Sequence, residues 1–286
     1  MNVTISNENM TAVFTTLGAE LISLKDKNGT ERMWSGDPKY WDGHAPILYP
    51  VAGHLLDDYY ILNNKKYILP KHGFALEREF AVEKQSANSV TFLLAGENAK
   101  SEGYPFDNEL RLIYTLEGDE LKVEYLVTNL MDTPLYFGIG AHEAYAVPGG
   151  YGEYEIVFDA DEGKGVYMSE LDDDLILRSQ RLLPFNDKGA LPLTKEACDS
   201  IILINLKSRG VTLRHKSGKE LVHVQFDGFN YLLFWTEPGS GFIAIEPWGN
   251  HPDFTDTNHQ WPAKPGVIGV AAKSSKSLVH TIKLLY

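Results

Sequence analysis

The sequence predicts an all-β fold, an antiparallel β-sandwich, and three features of the chain support this. Short segments rich in β-branched and aromatic residues recur along the 286 residues. Turn-forming pairs and triplets that contain Gly, Pro, Asn or Asp separate these segments. Helical periodicity is scarce, so strands joined by turns must supply most of the core.

The predicted strands are the segments in which this composition is clearest. They are Val90–Ala95, Leu110–Leu116, Leu121–Asn129, Tyr154–Phe158 and Val211–Arg214. Alternation of apolar and polar residues on both sides of Glu117–Asp119 predicts a hairpin there. Short helical turns are predicted around Pro38–Trp41 and over Thr194–Cys198, the second after a Thr194 cap.

The chain is predicted to form one domain over residues 1–286. This length exceeds the commonest domain size but lies within the range of β-sandwiches and barrels. No Pro/Ser-rich linker, low-complexity tract or fixed-period repeat divides the chain.

Composition and charge disfavour several functional classes. With 39 acidic against 26 basic residues the formal net charge is −13, which disfavours nucleic acid as a partner. No apolar stretch approaches the ~20 residues that span a bilayer, and MNVTISNENM lacks the pattern of a secretory signal. The only cysteine, Cys198, cannot form an intrachain disulfide or a cysteine cluster for a metal. We therefore expect a cytoplasmic protein without a membrane partner.

Three short segments place ionisable side chains among small and apolar residues. These segments are Pro70–Ala75 (PKHGFA), Gly138–Tyr145 (GIGAHEAY) and Ile243–Asn250 (IAIEPWGN). Glu246 precedes Pro247, where strand pairing is expected to stop and a pocket rim to begin. Two histidines and a glutamate supply a general acid, a general base and a hydrogen-bond donor. Taken singly, each of these residues is better explained as a structural group.

The order of the motifs changes that interpretation. The segments PVAGHLLDDYY, KHGFA, GIGAHEAY and FIAIEPWGNHPD resemble, in this order, the motif set of the aldose 1-epimerase (galactose mutarotase) family, especially its LacX-like branch. The resemblance extends from TLGAELISLKD to SLVHTIKLLY and so covers nearly the whole chain. It implies a large twisted antiparallel β-sandwich, the galactose mutarotase-like supersandwich, with an open active-site cleft on one sheet.

The resemblance also implies a role for four residues. His72 is similar to the family histidine that hydrogen-bonds near the anomeric centre, and His142 to the acid that protonates the ring oxygen. Glu246 is similar to the base that removes the proton of the C1 hydroxyl. Asp199, in ACDSIIL, resembles an acidic position that binds sugar hydroxyls. The implied reaction is interconversion of the α and β anomers of an aldose by ring opening and closure, with no cofactor and no metal.

Two departures from the family pattern bear on the substrate. Many relatives carry an arginine in the segment that here contains His54, and another where this chain has Leu76, although Arg78 lies nearby. Hexose-6-phosphate epimerases use such arginines for the phosphate, which the planar guanidinium suits. These departures favour a neutral monosaccharide. His54 is either a substrate-binding residue or an ordinary loop histidine.

Several other residues have two interpretations. Trp235 and Trp248 form either a wall on which a sugar stacks or part of the packing of the core or rim. His251 and Asp253 are a weak indication of a metal site because a third ligand is missing. Asp172–Asp174 is interpreted as a solvated loop. The remaining histidines are interpreted as structural or exposed: His44, His215, His223, His259 and His280.

Three other functions compete with an anomer-interconverting isomerase. The same scaffold serves a non-catalytic sugar-binding or sugar-sensing protein, or a hexose-6-phosphate 1-epimerase. A polysaccharide lyase or glycosidase β-domain requires paired carboxylates or a long groove, and no second carboxylate is as persuasive as Glu246. The sequence leaves open both the identity of the sugar and whether the protein is a monomer or a homodimer.

Overall fold

Two large antiparallel sheets make up most of the molecule. A computed structural model describes the backbone of residues 1–286 and every side chain except that of residue 98. Within this described part, 22 strands are joined by turns and short 3-10 helices, which confirms the predicted all-β class. No helix of the described residues has the length and apolar composition needed to cross a bilayer. The assignment of residues 1–286 to one domain stays a prediction.

The strands in chain order are β1 (Asn2–Ser6), β2 (Met10–Thr15), β3 (Leu21–Asp26), β4 (Tyr59–Leu62), β5 (Lys65–Ile68), β6 (Ala81–Gln85), β7 (Ser89–Leu94), β8 (Asn108–Glu117), β9 (Glu120–Asn129), β10 (Leu135–Phe137), β11 (Glu143–Ala146), β12 (Tyr154–Phe158), β13 (Gly165–Asp172), β14 (Leu175–Pro184), β15 (Leu191–Pro192), β16 (Ile201–Leu203), β17 (Gly210–His215), β18 (Glu220–Gln225), β19 (Tyr231–Trp235), β20 (Phe242–Trp248), β21 (Ile268–Val270) and β22 (Ser275–Leu284). The 3-10 helices are Leu56–Asp58, Ala75–Glu77, Gly96–Ala99, Tyr151–Glu153, Glu196–Cys198 and Trp261–Ala263.

The larger sheet has nine strands and the smaller has six. The nine-stranded sheet runs in the order β15-β12-β17-β18-β22-β9-β8-β7-β6, so β22 joins β18 to β9. The six-stranded sheet runs in the order β11-β20-β19-β16-β13-β14. Smaller sheets are formed by β1-β2-β3, by β4-β5 and by β10-β21. Long-range antiparallel pairing of β11 with β20 therefore brings His142, which directly precedes β11, close to Glu246 of β20.

Alternation along β8 and β9 shows how the sequence positions the core. Leu110, Leu112, Tyr114 and Leu116 are buried while the residues between them are half-exposed. The predicted hairpin is confirmed, since Glu117 pairs with Glu120 across a two-residue loop in which Gly118 has a φ of 58°. A glycine with positive φ relieves the steric strain of such a loop.

The five predicted strands all occur, with ends shifted by at most two residues. The predicted turn over Thr194–Cys198 is a 3-10 helix, and the Ala197 amide donates to Thr194 Oγ1 at 3.2 Å. Around Pro38–Trp41 the chain makes a turn closed by the Tyr40 amide and the Asp37 carbonyl, without becoming a helix.

The expectation that strand pairing stops at Pro247 is wrong on one side of β20. The ladder with β11 ends at Ile245, but the ladder with β19 continues to Trp248. Proline lacks only the amide hydrogen, so one neighbouring strand can continue to pair while the other ladder ends. Glu246 therefore lies inside a paired strand, where its backbone is held more firmly than at a free rim.

Candidate active site

Glu246 lies on β20, the strand next to the edge strand β11 of the six-stranded sheet. In β20 it is paired with Leu233 of β19, and its side chain is completely buried. Successive strand residues face opposite sides: Ile245 joins the main core, whereas Glu246 lines a cavity of about 530 Å³ on the other face. Neither carboxyl oxygen has a hydrogen-bond partner among the described residues. Burial, with a smaller contribution from the charge of Glu143, raises the pKa of the Glu246 carboxyl well above its usual range.

His142 faces Glu246 in the same cavity. It directly precedes β11, and its Nε2 lies 3.4 Å from Glu246 Oε2. The ring packs between Trp41 and Trp235, with centroid separations of 5.1 and 5.5 Å. Burial lowers the pKa of His142 to about 4. Because burial raises the pKa of Glu246 and lowers that of His142, it favours the state of the pair in which the carboxyl keeps its proton and the imidazole is neutral.

Backbone contacts fix His142 relative to Glu246. The Ala141 amide donates to the Pro247 carbonyl at 3.0 Å, and the Trp248 indole donates to the Ala141 carbonyl, also at 3.0 Å. These bonds continue the connection between β11 and β20 beyond the end of their ladder. His142 and Glu246 are thus each one position away from a hydrogen-bonded backbone group.

His72 is held by a turn with an unusual backbone. It has a φ of 65°, a conformation that costs a non-glycine residue about 1–3 kcal/mol. Its amide donates to the Gly53 carbonyl at 3.0 Å, and its Nδ1 accepts from the Gly53 amide at 3.1 Å. Burial lowers the pKa of His72 well below its usual range, so the ring is neutral. With Nδ1 as an acceptor, Nε2 carries the proton and can donate.

Steric constraints explain why the HGF motif has glycine at position 73. A Cβ at Gly73 would lie 2.3 Å from the Tyr49 carbonyl oxygen, and Gly73 has a φ of 76°. Only glycine combines this close approach with that backbone conformation. The motif therefore packs the turn that carries His72 against the segment before Gly53.

Asn250 supports the Gly53 loop from the other side of the site. Its Oδ1 accepts from the Ala52 amide at 3.0 Å, and its Nδ2 donates to the Ala52 carbonyl at 2.8 Å. The side chain is fully buried. Asn250 thus links the end of β20 to the loop that orients His72.

The structure brings most of the other predicted site residues together. His54, Trp235 and Trp248 line the same cavity as Glu246, and so does Leu76. His54 Nε2 contacts Asp58 Oδ1 at 2.9 Å. Asp199 does not line this cavity. It is exposed and lines an adjoining cavity, and its binding of sugar hydroxyls stays a prediction.

Sequence reasoning missed several residues of the cavity wall. Trp41, Lys71, Asp174 and Ser200 all line it. Lys71 Nζ donates to Asp174 Oδ2 at 2.6 Å, so the end of the run interpreted as a solvated loop contacts the rim of the site. Lys71 could have been predicted as a site residue, because it directly precedes His72 in the sequence. Asp174 lies 103 residues away in sequence, and nothing local indicates the contact.

His251 and Asp253 have structural partners. Asp253 Oδ1 accepts from the Lys264 ammonium at 2.5 Å, and Oδ2 accepts from the Leu56 amide at 3.1 Å. His251 Nδ1 contacts the Pro252 carbonyl. This buried ion pair and its hydrogen bonds explain both residues without a metal.

A second buried carboxyl–imidazole pair lies behind the cavity wall. Glu143 is paired with Ile245 across β11 and β20, and its Oε1 lies 3.0 Å from Nε2 of His280 on β22. Both side chains are at most 2% exposed. His280 is thus structural and deeply buried, and it connects the strand after His142 to the nine-stranded sheet.

We expect His280→Leu to destabilise the fold by about 3–5 kcal/mol, because it leaves the Glu143 carboxylate buried without its partner. Urea unfolding monitored by tryptophan fluorescence measures this change. The matched control is the double variant Glu143→Met with His280→Leu, which should recover most of the loss because an apolar pair needs no compensation. An equally large loss in both variants would show that packing at position 280, and not the charge of Glu143, is the cause.

The fold and the cavity define a β-sandwich protein with a buried carboxyl–imidazole pair in an open cleft on one sheet. Comparison with known proteins identifies its family. The family model described as aldose 1-epimerase matches residues 1–260, and the chain belongs to this family. The resemblance drawn from the motifs is therefore confirmed.

Relatives and solved structures agree with this assignment. The chain is 35% identical, over an alignment of 299 residues that covers 100% of both chains, to Protein LacX, plasmid, from Lactococcus lactis subsp. lactis. A galactose mutarotase-like protein from Lactobacillus casei ATCC 334 superposes with a TM-score of 0.92 at 28% identity, covering 99% of this chain and 100% of the other. A galactose mutarotase related enzyme from Lactobacillus acidophilus gives a TM-score of 0.89 at 26% identity, covering 100% and 98%.

Proposed function

We propose that this protein is an aldose 1-epimerase that interconverts the α and β anomers of a neutral aldose. The observation that carries the proposal is the buried pair of Glu246 and His142, whose nearest polar atoms are 3.4 Å apart in a cavity open to a ligand. Sugar binding alone does not require an acid and a base with opposite pKa shifts. Perturbed carboxyl and imidazole groups in one cleft are typical of proton-transfer sites.

The reaction needs one proton removed and one proton added. Glu246 accepts the proton of the C1 hydroxyl while His142 donates a proton to the ring oxygen. The bond between C1 and the ring oxygen breaks, and an aldehyde forms at C1. After rotation about C1–C2, the hydroxyl oxygen attacks the opposite face of C1 and returns its proton to His142, while Glu246 protonates the former carbonyl oxygen.

The pair is suited to this exchange because it begins and ends each turnover with one proton. In the state that starts ring opening, the proton is on His142 and the Glu246 carboxylate is free. Since burial disfavours the charged form of both groups, the empty site favours the proton on Glu246, and the proton reaches His142 across the 3.4 Å gap before ring opening. His72 Nε2–H is placed to donate to a substrate oxygen, and Trp41 and Trp235 offer apolar faces to the C–H surface of the ring.

We expect kcat/KM to be constant around neutral pH and to fall at both extremes. The acid limb should lie near pH 4, where the pair takes up a second proton and loses its base. The alkaline limb should lie well above the usual pKa of a carboxyl group, where the pair loses its only proton and so its acid. Exchange NMR at each pH, corrected for the spontaneous rate in buffer, measures the profile. A midpoint near 6.5, the ordinary value for histidine, would contradict the proposed pairing.

The substrate is expected to be unphosphorylated. His54 and Leu76 both line the cavity at the positions where relatives often have arginine. The one lysine in the wall, Lys71, already contacts Asp174 at 2.6 Å, which reduces its attraction for a phosphate. A dianion would therefore lose hydration without gaining a bidentate partner.

The test of the proposal compares glucose and galactose with their 6-phosphates at two ionic strengths. Polarimetry of freshly dissolved anomers should give a rate above that of buffer alone and a higher kcat/KM for the neutral sugars. A preference for the 6-phosphates that weakens in salt would indicate a phosphate site and overturn the neutral-sugar assignment. Sugar binding without any acceleration would indicate a sugar-binding protein instead.

A further inference from the structure

Glu143 lies directly behind the proposed acid–base pair, on the other face of the six-stranded sheet. It is paired with Ile245, and the same register continued by one residue sets His142 opposite Glu246. Because successive strand residues face opposite sides, Glu143 and Ile245 face the core between the two large sheets, while the other two residues face the cavity. One layer of strand backbone therefore separates the Glu143 carboxyl from the pair.

The charge of Glu143 is only partly compensated in the core. Its Oε1 lies 3.0 Å from His280 Nε2, but the two atoms are not aligned for a hydrogen bond, and Oε2 has no hydrogen-bond partner among the described residues. Three tyrosines are further ionisable groups beside this carboxyl: Tyr114 of β8, Tyr125 of β9 and Tyr145 of β11. Burial, with a further contribution from the charge of Glu143, raises the pKa of all three well above the usual range. The tyrosines are thus neutral and leave the carboxylate its negative charge.

Little screens Glu246 from this charge. The side chains of Glu143 and Glu246 are 2% and 0% exposed, and salt screens buried charges much less than exposed ones. After the effect of burial, the charge of Glu143 raises the pKa of the Glu246 carboxyl, whereas the Lys71 ammonium lowers it. Lys71 is nearly half exposed and already paired with a carboxylate, and burial keeps His72 and His142 neutral in the empty site. The buried, incompletely paired charge should therefore outweigh the exposed, paired one.

We propose that Glu143 is a positioning residue that acts through Glu246: from behind the sheet, its negative charge keeps the shared proton on the Glu246–His142 pair as the pH rises. The inference rests on the proposed epimerase activity, which needs this proton for the ring oxygen. A negative charge beside the pair favours every protonated form of it. Glu143 therefore sets the upper limit of the pH range in which the pair is active, and His280 on β22 keeps the carboxylate in place.

The pH dependence of kcat/KM in Glu143→Gln tests the inference, because the amide keeps the shape of the side chain and removes its charge. The alkaline limb should move to lower pH. At a fixed pH on this limb, we expect the rate to fall about tenfold below that of the wild type, the lower end of the effect of a neighbouring charge. The plateau should change much less, since the pair holds its proton there in both proteins. Glu143→Asp retains the charge and should keep the limb close to its wild-type position.

Exchange NMR, corrected for the spontaneous rate in buffer, measures each profile with glucose or galactose, whichever the wild-type protein converts faster. Glu155→Gln is the matched control, because Glu155 is a buried carboxylate on β12 of the nine-stranded sheet and is paired with Arg214 at 2.8 Å. It should leave the alkaline limb in place. If Glu143→Gln does not fold, the double variant Glu143→Met with His280→Leu removes the same carboxylate and should show the same shift.

An alkaline limb at the wild-type pH in the folded variant would overturn the role of Glu143 and leave the epimerase proposal standing. A lower plateau with an unmoved limb would do the same, because it would show a purely structural effect. An equal shift in Glu155→Gln would also overturn it, since any buried carboxylate would then have the effect. Failure of the wild-type protein to accelerate any sugar would remove the epimerase activity and the inference with it.

Discussion

Replacing Glu246 with glutamine is expected to lower the rate of anomer interconversion by about 10²–10⁴-fold, the range typical for loss of a general base. The amide keeps the shape of the side chain but cannot accept the C1 hydroxyl proton. The fold should persist, because burial, which raises the pKa of the Glu246 carboxyl, favours an uncharged group at this position. Exchange NMR and thermal melting on one preparation measure the two properties together.

Glu117→Gln makes the same chemical change at an exposed turn and should leave the rate at the wild-type level. A well-folded Glu246→Gln protein with a rate near that of the wild type would exclude Glu246 as the base. A misfolded one would be recognised by its melting curve, and Glu246→Asp, which keeps the carboxyl but shortens it, would then be the second test.

His142→Asn is expected to lower kcat by about 10²–10⁴-fold while changing sugar affinity much less. The asparagine amide can hydrogen-bond to the ring oxygen but cannot transfer a proton to it. His142 should act mainly while the bond between C1 and the ring oxygen breaks. Its removal should therefore raise the free energy of the transition state more than that of the bound sugar. Calorimetric titration with sugar and turnover by exchange NMR separate the two effects.

His215→Asn is the matched control for this change, because His215 lies on β17 of the other sheet. If His142→Asn weakens affinity and leaves kcat intact, His142 is a binding residue and the assignment of the acid is wrong. Trp41 and Trp235 would then be the natural next positions to vary, since they contact the same ring.

Local patterns in the sequence predicted the elements that depend on local interactions. The β8–β9 hairpin was predicted from the alternation of apolar and polar residues and from the glycine of its turn, which lie close together in the sequence. His72, His142 and Glu246 were identified because the order of their motifs resembles that of the aldose 1-epimerase family, and all three line one cavity. The roles of these residues stay predictions until the variants are measured.

Features that depend on distant pairing were not predictable. The contact between Lys71 and Asp174 joins residues 103 positions apart, and Glu143 meets His280 only because two sheets pack together. Asp199 was predicted to bind sugar hydroxyls, but nothing local in the sequence indicated that it lines the neighbouring cavity and not the one that contains Glu246. Pro247 has no amide hydrogen, so it interrupts pairing only with the neighbouring strand that would accept a hydrogen bond from it. The sequence alone does not show which of the two neighbouring strands, β11 or β19, this is.

The position of β22 has a consequence for biosynthesis. Until residues 275–284 have left the ribosome, the nine-stranded sheet exists as two separate halves, one ending at β18 and the other at β9. Each half then presents an open strand edge, which is prone to pairing with other chains. All the catalytic candidates have already emerged by that time, yet Glu143 still lacks His280 behind them. We therefore expect the active site to mature only after translation of this last strand, and the nascent protein to depend on chaperones until then.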